Sequence, residues 1–113
     1  MTNHRVKCAN FEIANNKSFT LIAGPCQLES EKHALDISKE LKKITSDLKI
    51  NLIYKTSFDK ANRTSLKGQR GMGLEKSLSI FDKIRNELGI PVLTDVHTAE
   101  QCSIVSNHVD VLQ

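Results

Sequence analysis

Between Phe19 and Leu112, short continuously apolar runs alternate with longer stretches of helical spacing, and that alternation leaves few folds open. Phe19 to Ala23 (FTLIA) has the length and unbroken apolar character of a buried parallel strand. It stops at Gly24-Pro25, a strong breaker. From Ser30 the period changes. Ala34, Ile37, Leu41, Ile44 and Leu48 recur at threes and fours, which predicts a helix with one buried stripe. Ser30 is its expected N-cap, with Glu31 in the first turn. Lys32, Lys39, Glu40, Lys42 and Lys43 lie mostly off the stripe, on a solvated face. Ile50 to Tyr54 reads as a second strand. A second helix spans about Leu74 to Leu88, with Leu74, Leu78, Phe81, Ile84 and Leu88 inward. Gly89 supplies its stop and Pro91 prevents continuation. Pro91 to Thr94 is a third strand. Thr98 with Gln101 three residues on forms a capping-box pattern that opens a short helix through Val105. Val109 to Leu112 is a fourth strand. Ahead of all this, residues 5 to 14 split into two alternating runs around Ala9-Asn10, which predicts a small β-hairpin.

Strands alternating with amphipathic helices argue an α/β fold with a parallel sheet and right-handed crossovers. The expected layout is a single domain over residues 1–113, with a hairpin cap at 1–18 and β/α units at 19–113. At 39% hydrophobic and 26% charged, the composition is that of a globular protein. A net charge of +3 suits a small anionic substrate and falls short of the basic excess that nucleic-acid binding needs. No window approaches a membrane span, and the opening MTNHRVKCANFEI lacks the apolar core of a secretory signal. Cys8, Cys26 and Cys102 are odd in number, widely spaced and form no CxxC pair, which fits a reducing compartment.

The polar candidates collect just after strand ends. Lys55 to Gly73 carries Lys55, Lys60, Arg63, Lys67 and Arg70 against one acid, Asp59, with Thr56, Ser57, Asn62, Thr64, Ser65 and Gln69 between them. No period of 2 or 3.6 runs through it, so it reads as a loop of nearly twenty residues, a length that compact domains reserve mainly for function. Fixed cations, hydroxyls and glycines make an anion site, most naturally for phosphate. The plainer reading is a solvated basic surface. Cys26 follows the first strand, and Asp95 and His97 follow the third. Parallel α/β architectures place their chemistry at that end of the strands, in barrels and open sheets alike. Three strand ends agreeing favours the functional reading of the basic loop. Cys26 keeps two readings, a small packing residue or a ligand or nucleophile. Cys8 and Cys102 read as packing, and His108 as structural. One His and one Asp define no metal site. The glycines at 68, 71 and 73 match neither a Walker nor a Rossmann fingerprint, which disfavours nucleotide binding.

Five segments together resemble the 3-deoxy-D-manno-octulosonate 8-phosphate synthases. They are FTLIAGPCQLES (19–30), KTSFDKANRTS (55–65), RGMGL (70–74), TDVH (94–97) and the ending DVLQ. The match is collinear over essentially the whole chain. The KANR string after S-F-D carries most of its specificity. The related 3-deoxy-arabino-heptulosonate 7-phosphate synthases share I-A-G-P-C but have a K-P-R-T pattern in the basic loop, where this chain has Ala61-Asn62.

The resemblance implies a (β/α)8 TIM barrel, of which this chain would hold about the first three βα units plus a fourth strand. It implies an aldol-type condensation of phosphoenolpyruvate with D-arabinose 5-phosphate, in lipopolysaccharide core biosynthesis in the cytoplasm, by a homotetramer. Lys55, Ser57 and Lys60 would then contact phosphoenolpyruvate. Asn62 and Asp95 would meet the sugar, and Arg63 would hold its phosphate in a neighbouring subunit's site. Lys60 and Asp95 would stand at the reacting centre. Cysteine after G-P marks the metal-dependent members, so Cys26 would be a thiolate ligand to zinc, iron or manganese. A complete barrel needs about 250 residues. The expectation is therefore a truncated product or an N-terminal fragment, inactive alone. The competing expectations are a seven-carbon sugar-acid synthase and a non-enzymatic remnant kept for association.

Overall fold

The computed structural model describes residues 3–59 and 73–113. Within them the predicted order of elements is present. Strands β1 (Val6–Cys8) and β2 (Phe11–Ile13) form the hairpin. Then come β3 (Thr20–Ala23), α1 (Glu31–Leu48), β4 (Asn51–Lys55), α2 (Leu74–Leu88), β5 (Val92–Thr94), α3 (Ala99–Val105) and β6 (Val111–Leu112). The hairpin is antiparallel and turns at Ala9, whose φ of 50° is left-handed, and Asn10.

The larger sheet is fully parallel and its spatial order, β3-β4-β5-β6, is the order of the chain. Leu21 faces Leu52, Ala23 faces Tyr54, and Tyr54 faces Val92, so these five share one face. That face packs on Ala34, Leu35, Ile37 and Leu41 of α1, on Leu78, Phe81 and Ile84 of α2, and on Val105 of α3. Phe81, Ile84 and Val92 are fully buried, and burial of each such side chain is worth about 1.5–3 kcal/mol. The opposite face carries Ile22, Ile53, Lys55, Leu93 and Val111 in register. The hairpin covers part of it through Cys8, Phe11 and Ile13.

Helix starts and stops follow the local chemistry. The Ser30 side chain accepts the His33 amide of α1. Gly89 ends α2 at φ 66°, a conformation open to glycine. In α3 the Thr98 hydroxyl accepts the Gln101 amide, as a capping box requires. The Gln101 side chain reaches one residue further back than expected and accepts from the His97 amide at 2.7 Å.

Several expectations are corrected. Ile44 and Leu48 do not join the buried stripe of α1; they are exposed, and Ser38 and Thr45 are buried instead. The reason is that both hydroxyls satisfy themselves on the helix, Ser38 on the Ala34 carbonyl and Thr45 on that of Leu41, so they enter the interface without an unpaired polar group. Leu74 and Leu88 are only half-buried. Phe19 lies outside β3 and is exposed, since the ladder begins at Thr20–Asn51. Lys55 belongs to β4 and not to the following loop, because it pairs with Leu93. Ile50, Pro91 and Val109 also fall just outside their strands, though all three stay sheltered.

Tyr54 is fully buried, and its hydroxyl has no hydrogen-bond partner among the described residues. Ser38 lies beside it but spends its proton on Ala34. Burial pushes the phenol up to about 12, with the nearby Ser38 opposing weakly. The unfolded phenol titrates near pH 10, so the unfolded state ionises first. Stability from Tyr54 is complete below pH 10 and is lost as the pH rises toward 12. Thermal melts from pH 9 to 12 should therefore fall more steeply for the wild type than for Tyr54→Phe, which has no phenol to ionise. Parallel curves would contradict this.

Candidate functional site

At the C-terminal ends of β3, β4 and β5 three connecting segments are stitched together. The segment after β3 comes first. An added Cβ on Gly24 would lie 1.8 Å from the Lys55 carbonyl oxygen, so this segment runs directly against the end of β4. It stays there. Gln27 bridges Ser57 in parallel fashion, and the Leu28 amide donates to the Ser57 carbonyl at 2.9 Å. Leu28 is fully buried beneath this contact.

The end of β4 is tied to β5 in turn. The Thr94 hydroxyl donates to the Thr56 carbonyl at 2.7 Å, and the Thr56 amide donates to the Leu93 carbonyl. Beyond β5, the Val96 amide donates to the Gln113 carbonyl and the Gln113 amide to the Thr94 carbonyl. Four consecutive strand ends are thus held as one rim by main-chain bonds.

The expected site residues sit on this rim as follows. Cys26 is exposed and free. Lys55 is half-buried on the sheet face away from the helices. Ser57 is buried. Asp95 has one carboxylate oxygen, Oδ1, buried without a hydrogen-bond partner among the described residues. Its other oxygen lies 3.6 Å from His97 Nε2. Lys60, Asn62 and Arg63 lie outside the described residues. Cys8 is buried, and burial together with the nearby Asp110 charge pushes its thiol up, which suits a packing role. Cys102 is half-buried on α3. His108 is structural as expected: its Nδ1 lies 2.9 Å from the Asp82 carboxylate on α2.

Two features of the rim escaped the sequence reading. Gly24 was legible there only as a breaker, although it also lies directly against the Lys55 backbone at the end of β4. Thr56, one residue from Lys55, buries a hydroxyl with no partner among the described residues; no periodicity marks it. Among the described residues no three His, Cys, Asp or Glu side chains gather as a metal cluster, and no helix is long and apolar enough to cross a membrane.

Comparison with known proteins bears on this arrangement directly. The family model described as the DAHP synthetase I family matches residues 3–113. The 2-dehydro-3-deoxyphosphooctonate aldolase of Brucella anthropi is 55% identical over 98% of this chain, and that of Mesorhizobium japonicum 56% over the same share. The Brucella ovis protein of the same name is 54% identical. In each case the chain spans 40% of the relative's length. A match running through every element from the hairpin to β6, and through all three stitched strand ends, makes this chain a member of the DAHP synthetase I family.

Proposed function

We propose that these residues form part of a site that condenses phosphoenolpyruvate with D-arabinose 5-phosphate, giving 3-deoxy-D-manno-octulosonate 8-phosphate and phosphate. The observation that carries the reading is the rim: Cys26, Lys55, Ser57 and Asp95 come from three different strands yet share one end of one parallel sheet. The similarity to proteins named 2-dehydro-3-deoxyphosphooctonate aldolase supports the eight-carbon product over the seven-carbon one. Both substrates carry phosphate, so the site needs several cations held where water cannot screen them. Lys55, Ser57 and Lys60 take phosphoenolpyruvate. Asn62 and Asp95 take sugar hydroxyls, and the buried Asp95 oxygen, without a partner among the described residues, is a ready acceptor. Arg63 takes the sugar phosphate in the site of a neighbouring copy within a homotetramer. Lys60 and Asp95 stand at the reacting centre. The setting is lipopolysaccharide core biosynthesis in the cytoplasm.

The fold of the whole is proposed to be a (β/α)8 barrel, with residues 1–18 as a cap and 19–113 as β/α units of one domain. Strand order equal to chain order supports it, because doubly wound sheets reverse direction at a switch point. The face that carries Ile22, Ile53 and Lys55 would line the interior. A divalent metal (zinc, iron or manganese) would supply Lewis-acid polarisation of the aldehyde or of water. The exposed Cys26 thiol fits as one donor to it. The other donors would have to come from outside the described residues.

For the 113 residues alone the expected result is binding without turnover. A cooperative thermal transition should shift upward with millimolar phosphoenolpyruvate, and Lys60→Ala should abolish the shift. With phosphoenolpyruvate present, arabinose 5-phosphate should add to the shift and erythrose 4-phosphate should not. A ligand-independent melt would sink the assignment of the phosphoenolpyruvate site, and the reverse sugar preference would point to the seven-carbon reaction.

A further inference from the structure

The ladder between β4 and β5 loosens as it reaches the candidate site. The Tyr54 amide donates to the Pro91 carbonyl at 2.9 Å, and the Thr56 amide, two residues on, to the Leu93 carbonyl at 3.4 Å. In a parallel ladder the Thr56 carbonyl would be the acceptor of the following rung. A side chain takes it. The Thr94 hydroxyl donates to this carbonyl at 2.7 Å. Thr94 and Thr56 are both buried, so water does not compete for the bond. On the far side of the same short segment, the Leu28 amide donates to the Ser57 carbonyl at 2.9 Å, and the Gly24 backbone lies against Lys55. Ser57 is therefore gripped from the β3 side through its own carbonyl, and from the β5 side through the carbonyl that precedes it.

We propose that Thr94 is a positioning residue for the candidate site: its hydroxyl, bound to the Thr56 carbonyl, sets Ser57 relative to Asp95. This rests on the phosphoenolpyruvate site proposed above, in which Ser57 is one contact. The Thr56 carbonyl belongs to the planar peptide that carries the Ser57 amide, so holding its oxygen orients Ser57. Asp95 follows Thr94 directly in the chain, so one bond ties the two site residues together. The main-chain tie at this level, Thr56 to Leu93, is the longer one and fastens the amide end of Thr56. A binding constellation has to be held to within about 0.5 Å, and a buried carbonyl stripped of its donor is costly enough to shift its peptide. Apolar packing alone would be met equally by valine, which has the shape of threonine without the donor.

The test uses the full chain with Thr94→Val, which removes the hydroxyl, and Thr94→Ser, which keeps it. Asp110→Ala, which acts at the opposite end of β5, is the control for lost stability alone. Phosphoenolpyruvate affinity by calorimetry should fall about fivefold or more in Thr94→Val, and stay within about twofold of wild type in Thr94→Ser and Asp110→Ala. Should valine prevent folding, Thr94→Ser and Thr94→Ala, which differ by the hydroxyl alone, give the same comparison. A valine variant that binds like wild type, a serine variant no better than valine, or an equal loss in Asp110→Ala would overturn the proposal.

A nitrogen-15 spectrum separates this inference from the site assignment. If the wild type binds no phosphoenolpyruvate, the site assignment fails, and Thr94 is judged by the Leu28 amide, which is bonded to Ser57 on the side away from β5. Displacement of that resonance in Thr94→Val, with its return in Thr94→Ser, supports the positioning role. A Leu28 resonance unmoved in Thr94→Val refutes it.

Discussion

Replacing Gly24 with alanine is expected to lower the unfolding midpoint by about 10 °C or more, the steepest loss among the described glycines. The new Cβ would sit 1.8 Å from the Lys55 carbonyl oxygen and 2.8 Å from its carbon. Neither atom can yield alone, because both belong to the backbone of β4, whose register with β3 and β5 is continuous. Relief requires the segment after β3 to lift away. That motion breaks the Gln27–Ser57 bridge and the Leu28–Ser57 bond, and uncovers Leu28. Overpacking against a rigid neighbour costs about 1–3 kcal/mol and occasionally more, and about 4–8 °C accompanies each kcal/mol in a domain near this size. The same motion would carry Cys26 away from Lys55 and Ser57. Differential scanning calorimetry with a cysteine-labelling rate at Cys26 reads both effects, and an alanine variant with unchanged midpoint would refute the close approach.

Asp110→Ala is expected to cost about 2–4 kcal/mol. Its carboxylate accepts from Arg85 at 3.1 and 3.3 Å and from the Val92 amide at 2.9 Å, while its own amide donates to the Val92 carbonyl. The side chain therefore does the work of a ladder bond just before β6 and fastens the C-terminal part of α2 to the start of β5. Removing it strands a buried main-chain N–H, worth about 1–3 kcal/mol, and leaves Arg85 without that carboxylate. Asp110→Asn keeps an acceptor for Val92 but gives up the ion pair, so it should lose less than half as much. Urea unfolding of the three proteins at one pH measures the difference. Equal losses for Ala and Asn would assign the whole effect to the charge, contrary to the geometry.

The order of elements was readable because the apolar period switches cleanly at Ser30, Ile50, Leu74 and Pro91. Strand ends were not readable to the residue. They depend on which neighbour supplies a ladder partner: Lys55 has Leu93 and joins the strand, whereas Phe19 lies before the first ladder pair of β3. The inward face of α1 was misjudged at Ile44 and Leu48 because hydropathy ranks Ser38 and Thr45 as polar. On a helix their hydroxyls turn back to carbonyls and become as buriable as alanine or valine.

For the candidate site, the clustering of Cys26, Lys55, Ser57 and Asp95 followed from one rule about parallel strands. What joins them did not, since the joints are main-chain groups that no residue type announces: the Ser57 carbonyl, the Thr56 carbonyl and the Asp59 carbonyl. His97 shows the gap most clearly. Its ring meets the Asp59 main-chain carbonyl, a contact that no residue type announces.

The agreement between strand order and chain order has a consequence for how the protein is made. From β4 on, each strand of the larger sheet pairs with the sheet strand made just before it, so its docking edge already exists when it leaves the ribosome. These four strands can then be laid down in one direction, one βα unit at a time, each new strand adding to an edge already formed. The hairpin is the exception. Made before the sheet, it packs against Ile53, Leu93 and Val111, so its berth is finished only when β6 arrives. It precedes the sheet in the chain, yet its full set of neighbours there is assembled only after all four strands.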